Sequence, residues 1–146
     1  MAFRQRRELV RNLDGASPRR VRKGPLIAIV DDDKSIRDTT QDLLESAGFL
    51  AVAFASASKL LNSRRLNAID CLIADMRMPG MTGLELYQHL VASRRPIPTI
   101  LMTAYPNERT RVQAIKAHIV GYLAKPFAAE ELLTALHGAL QIHDDK

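Results

Sequence analysis

Cysteine is nearly absent from the 146 residues: Cys71 stands alone, so no internal disulfide can form, and its place in the apolar run 69–74 reads as core. That usage fits a reducing, cytoplasmic setting. Long hydrophobic runs are missing too. The longest, residues 49–55 and 26–30, fall far below the ~18 residues a bilayer span needs, so no transmembrane helix and no membrane contact are expected. The Arg-rich amino terminus lacks an apolar stretch, because Leu9-Val10 is followed at once by Arg11, Asn12 and Asp14, and no secretory signal is expected. His89, His118, His137 and His143 show no metal-ligand spacing and read as surface or core residues.

Charge of one sign is concentrated where it says least about the folded part. Of 21 basic and 16 acidic groups, residues 1–25 hold eight basic (Arg4, Arg6, Arg7, Arg11, Arg19, Arg20, Arg22, Lys23) against Glu8 and Asp14. Residues 26–146 are therefore nearly balanced, and the net charge of +5 belongs to a tail. Gly15, Ser17, Pro18 and Gly24 interrupt any periodicity there, which predicts a basic, disordered N-terminal extension over 1–24 and one domain over 25–146. With 47% hydrophobic and 25% charged residues, the composition is that of a globular protein with one core.

From Pro25 onward, short β-rich apolar runs alternate five times with amphipathic stretches of helical length. Strands are expected at 26–30, 49–55, 69–75, 99–102 and 119–123, and helices at 34–47, 57–63, 83–93, 108–117 and 127–142. Ile36, Leu43, Leu44 and Ala47 share one face of the first helix, with Gly48 where a C-terminal glycine belongs. Leu84, Tyr87, Leu90 and Val91 face inward from the third, and Leu132, Leu133, Leu136 and Leu140 from the last, whose acids Glu130 and Glu131 suit the helix dipole. The fourth helix offers only Val112 and Ile115, a thin face that predicts mobility. Strict alternation with uniformly apolar strands implies a doubly wound five-stranded parallel α/β sheet, (βα)5, covered on both faces.

Ligands of such sheets bind outside the carboxyl ends of the strands. Asp31, Asp32 and Asp33 stand at the end of the first strand, Asp75 at the end of the third, Thr103 at the end of the fourth, and Lys125 after the fifth. Clustered carboxylates repel unless a proton or a cation intervenes, and this hard oxygen set suits Mg²⁺. A carboxylate nucleophile beside a metal, a hydroxyl donor and a flexible cation is a set suited to phosphoryl transfer. Asp33 is more ordinary as a helix N-cap or a solvated charge.

These residues lie in four motifs: Ile29-Val30-Asp31-Asp32-Asp33, the run 73–83 from Ile73-Ala74-Asp75 through Pro79-Gly80 to Thr82-Gly83, Leu101-Met102-Thr103-Ala104, and Tyr122-Leu123-Ala124-Lys125-Pro126-Phe127. Together, over about residues 26–142, they resemble the response regulator receiver domains of two-component systems, which are flavodoxin-like in fold. The resemblance implies that Asp75 accepts a phosphoryl group from a sensor histidine kinase or a histidine phosphotransfer protein, and that the chain is not an enzyme in its own right. It implies Mg²⁺ held by Asp32 directly, Asp31 through water, Asp75 and the backbone carbonyl of Arg77. Lys125 would pair with Asp75 and then with the phosphoryl group, aimed by a cis Lys125-Pro126 bond, while Thr103 and Tyr122 would form the switch. Partners would read the state at the face made by the fourth helix, fifth strand and last helix, as a monomer or a phosphorylation-linked dimer.

Arg77 and Tyr105, each two residues past a site residue, flank the line along which water would attack an acyl phosphate; alternatively they are a solvated charge and a packing aromatic. Two other classes stay in view. Asp31 and Asp33 form the Asp-x-Asp pattern of aspartyl-phosphate hydrolases, although that class puts its nucleophile on the first strand. A flavin or nucleotide carrier would need a glycine-rich phosphate loop after the first strand, where this sequence has acids. Because the sequence ends four residues past the last expected helix, no DNA-binding domain is expected in this chain and output is expected in trans.

Overall fold

The uniformly apolar runs do become strands. A computed structural model describes residues 24–144, with side chains to 141. The expected extension over 1–24 therefore lies almost wholly outside the described residues, as does the side chain of His143. Within them, β1 (Leu26–Val30), β2 (Leu50–Phe54), β3 (Cys71–Asp75), β4 (Thr99–Thr103) and β5 (Gly121–Ala124) alternate with α1 (Lys34–Ser46), α2 (Ala57–Leu61), α3 (Gly83–Ala92), α4 (Glu108–Lys116) and α5 (Ala129–Asp144). All neighbouring strands are parallel, in the order β2-β1-β3-β4-β5. The order reverses at β1 and β3, and the crevice at such a switch is where a doubly wound sheet takes its ligand.

Alternate residues of each central strand enter two cores. Ala28, Val30, Leu72, Ala74 and Leu101 meet Leu60 of α2, Leu84, Leu86 and Leu90 of α3 and Ala114 of α4. Ile27, Ile29, Cys71, Ile73, Ile100 and Met102 meet Leu44 of α1 and Leu132, Leu136 and Ala139 of α5. Every residue of β1, β3 and β4 is buried, whereas β2 at the sheet edge is half-buried throughout. Burial also pushes the Cys71 thiol up to about 12, an inert core sulfur.

Helix starts are fixed by side chains that accept otherwise orphaned backbone N–H groups. Asp33 caps α1, taking N–H groups from Ser35 and Ile36. Thr82 and Glu85 form a reciprocal capping box on α3, and Asn107 caps α4. Gly48 follows the end of α1 with φ +97°, the left-handed turn expected of it.

Several inward assignments need correction. Val91 is 45% exposed and Leu86 is buried, so α3 meets the sheet through Leu84, Leu86 and Leu90. Ile115 is 58% exposed, and α4 contributes Ala114 to the core with Val112 half-buried. In α1 the buried positions are Thr40 and Leu44, and Ala47 is exposed. The last helix begins at Ala129 rather than 127, since the N–H of Ala128 is taken by the Glu131 side chain at 2.8 Å in a cap-like turn. The fifth strand runs 121–124 rather than 119–123, paired with Ile100 through Thr103.

Gly83, the first residue of α3, carries the fold's tightest approach to the site. A Cβ there would lie 2.6 Å from the Asp75 carbonyl oxygen and 2.9 Å from a Leu101 methyl, so the constraint is space. Gly83→Ala is expected to lower stability by about 2 kcal/mol, read as a shift in urea midpoint at unchanged slope; an unshifted midpoint would show that α3 can move off β3 freely.

Candidate functional site

Parallel strands all end at one edge, and here that edge gathers the expected side chains. Asp31 follows β1 directly and is wholly buried. Its N–H donates to the Phe54 carbonyl at 3.1 Å, its Oδ1 accepts from the Asp33 N–H at 2.9 Å, and its Oδ2 accepts from Lys125 Nζ at 2.8 Å. Asp32, next along, is exposed. Asp75 ends β3 and is 6% exposed; its Oδ1 accepts the Arg77 N–H at 3.2 Å and its Oδ2 lies 3.2 Å from Lys125 Nζ. One carboxylate oxygen from each of Asp31, Asp32 and Asp75 falls within 4.8 Å of the others.

Lys125 bridges two of these acids from the loop after β5, and the peptide bond between Lys125 and Pro126 is cis. Burial is the largest influence on its amine and pulls it down, but the contacts with Asp31 and Asp75 together outweigh it and hold the ammonium above its ordinary range. Asp75 is displaced upward. Its burial raises the carboxyl most and the nearby Asp31 charge adds to this, against the Arg77 N–H bond and Lys125, which lower it.

Thr103 ends β4, 1% exposed, with its Oγ1 accepting from the Tyr105 N–H at 3.0 Å, which leaves its own O–H free to donate elsewhere. Tyr122, on β5, is half-buried, and its hydroxyl shares a 2.6 Å hydrogen bond with Thr110 of α4. Arg77 holds its guanidinium 4.9 Å from the centroid of the Tyr105 ring, so the two flanking residues touch each other across the mouth of the site.

Of the residues anticipated as a site, Asp31, Asp32, Asp75 and Lys125 are brought together, Thr103 ends the neighbouring strand, Tyr122 is turned to Thr110 of α4, and Asp33 is spent on capping α1. Spending Asp33 on the α1 cap disfavours the Asp-x-Asp pair as a hydrolase nucleophile and acid. Sequence spacing did not reveal two further contacts. Arg37 of α1 donates from Nη1 to the Asp31 carbonyl at 2.8 Å, and Thr110 holds Tyr122. A cation in a helix's first turn was a legible signal for the former; nothing in the pattern marked the latter.

Comparison with known proteins agrees with this geometry. The model of the response regulator receiver domain family matches residues 27–137. The chain belongs to that family. It is 38% identical over 120 residues to the response regulator protein TodT of Pseudomonas putida, covering 82% of this chain and 53% of that one. To the transcriptional regulatory protein FixJ of Bradyrhizobium diazoefficiens it is 34% identical over 115 residues, covering 79% and 56%. The chain therefore spans about half the length of these curated relatives. Among solved structures, that of the response regulator StyR superposes with TM-score 0.77 at 41% identity, covering 84% of this chain and 62% of that one. The crystal structure of FixJ-N superposes with TM-score 0.73 at 29% identity, covering 82% and 96%. Among the described residues, no helix is long and apolar enough to cross a membrane.

The raised Asp75 carboxyl has a consequence for stability. A group that binds its proton more tightly when folded contributes stability at acid pH that is lost as pH rises through its folded pKa. Asp75→Asn, which removes that buried charge, is expected to stabilise the protein by about 1 kcal/mol at pH 7. The gain should shrink to nothing as pH falls to the ordinary carboxylate value of 3.8. Paired thermal melts across pH check it, and a variant less stable than wild type at pH 7 refutes it.

Proposed function

We propose that Asp75 accepts a phosphoryl group from a phosphohistidine on a sensor kinase or phosphotransfer protein, and that the resulting charge resets a surface read by a protein partner. The observation that carries this reading is the 4.8 Å cluster of Asp31, Asp32 and Asp75 with Lys125 bridging two of its members. An all-oxygen donor set with one exposed acid fits Mg²⁺, which Asp32, Asp75, the Arg77 carbonyl and Asp31 would hold. When bound, Mg²⁺ neutralises charge on the transferring phosphoryl oxygens.

The chain's own residues do the rest. An Asp75 oxygen forms the new O–P bond as the P–N bond to the donor imidazole breaks, the histidine keeping the electron pair. Lys125, already between the two buried acids, transfers its attention to the phosphoryl oxygens, and the Thr103 hydroxyl donates to one of them. Asp31, enclosed by the Asp33 N–H, Lys125 and the Phe54 carbonyl, stays put and keeps the loop in register.

Phosphorylation adds nearly two negative charges. Thr103 moving toward them loosens the Tyr105 N–H contact, and Tyr122 follows, which shifts α4. That helix is the least anchored, with Ala114 its one buried residue. The face of α4, β5 and α5, where Ile115 is exposed, is then the readout for a downstream protein, with the regulator acting in the cytoplasm as monomer or phosphorylation-linked dimer. A two-state shift of this kind needs only a few kcal/mol of differential binding.

Acetyl phosphate with Mg²⁺ is expected to add one phosphoryl group by intact mass, with EDTA or Asp75→Asn abolishing the gain; a phosphoryl group retained in Asp75→Asn would put the acceptor elsewhere. In this reading the Arg77–Tyr105 contact flanks the line along which water would attack the acyl phosphate. Arg77→Ala should therefore shorten the phosphoprotein's half-life about two- to fivefold, followed by phosphate release, whereas an unchanged or longer half-life would make the stack mere surface packing.

A further inference from the structure

α1 takes its acid at the N-cap, Asp33, and carries cations just inside it. α3, α4 and α5 carry acids in their first turns, Glu85, Glu108, and Glu130 with Glu131, where the helix dipole favours them. The first turn of α1 has no acid and instead carries Lys34 and Arg37. Lys34 is accounted for by an exposed ion pair with Asp38 at 2.6 Å. Arg37 makes no ion pair among the described residues. Its Nη1 donates to the backbone carbonyl of Asp31 at 2.8 Å.

That carbonyl lies one residue past the end of β1, on a residue with no solvent exposure, so it needs a donor from within the protein. Arg37 is the donor. Its own helix starts at Asp33, whose carboxylate caps α1 and whose N–H is held by Asp31 Oδ1. The turn Asp31-Asp32-Asp33 is thus tied at Asp31, to the sheet through its N–H and to α1 through Arg37 on its carbonyl, and at Asp33, through its N–H on Asp31 Oδ1 and its side-chain cap on α1. Asp32, the exposed acid of the metal-sized cluster, lies between the ties.

We infer that Arg37 is a positioning residue that clamps the Asp31 carbonyl and so fixes the turn presenting Asp32 to the cation. The inference rests on the proposed Mg²⁺ site and adds a residue that touches neither metal nor phosphoryl group. Charge and clamp act in opposite directions. As a mere positive charge near the acids, Arg37 would oppose a divalent cation, and removing it would tighten Mg²⁺ binding. As a clamp it holds the acids in place, and removing it loosens binding.

Isothermal titration of the full chain with Mg²⁺, without phosphodonor, separates the two. Arg37→Gln is expected to weaken Mg²⁺ binding about tenfold, with Arg37→Lys falling between it and wild type, since an ammonium reaches as a point donor without the planar fork. Gln41→Ala is the structural control. Gln41 ties α1 to the Ala51 carbonyl at 3.3 Å on the far strand, so its loss should lower the melting temperature and leave Mg²⁺ affinity unchanged. Arg37→Gln binding Mg²⁺ as tightly as wild type, or more tightly, overturns the inference. If Arg37→Gln fails to fold, Arg37→Lys decides, and wild-type or tighter affinity there overturns it. Binding by wild type that Asp32→Asn abolishes and Arg37→Gln leaves intact refutes only the positioning role, whereas no binding by wild type refutes the Mg²⁺ reading beneath it.

Discussion

Three carboxylates drawn to one sheet edge are the constraint around which this chain is arranged. Two full negative charges within 4.8 Å of each other repel by at least about 3 kcal/mol at an effective dielectric of about 20, before the cost of burying either of them. Lys125 relieves that by reaching Asp31 and Asp75 at 2.8 and 3.2 Å. Yet Asp75 still holds its proton more tightly than a free carboxylate. Of the three acids, Asp31 is buried and held by Lys125, Asp75 is buried with its proton held more tightly, and Asp32 is open to water.

The sheet makes that concentration possible. Because all five strands run parallel, the ends of β1, β3, β4 and β5 lie side by side, and residues separated by tens of positions become neighbours. The two cores on either face then hold the strands rigidly, leaving the loops beyond their ends to carry chemistry. Gly83 shows how closely the scaffold abuts the site, since α3 starts against the backbone of the proposed acceptor itself. On the same face of the sheet, α4 is secured by Ala114 and by the Thr110–Tyr122 hydrogen bond, a much lighter attachment. Firm and light anchoring are thus distributed to different elements.

Patterning made the alternation of elements, the parallel sheet and every side chain of the cluster legible, because each depends on local rules: apolar runs make buried strands, caps start helices, and parallel strands end together. The failures were equally physical. Val91 and Ile115 are apolar at helical spacing yet exposed, because period alone does not say which side of a helix meets the sheet. Thr40 is buried although polar. Arg37 and Thr110 gained their importance from partners 6 and 12 residues away, whose position depends on how a helix seats on a strand end.

The amino-acid order by itself determined which residues would stand at strand ends, since strand length and alternation are written in hydrophobicity. Only the tertiary structure decided which of the acids is buried, which is open and which is spent on a helix cap. Desolvation and hydrogen-bond geometry depend on atoms brought close from distant parts of the chain, and three consecutive aspartates that look alike in sequence acquire three different roles from their surroundings.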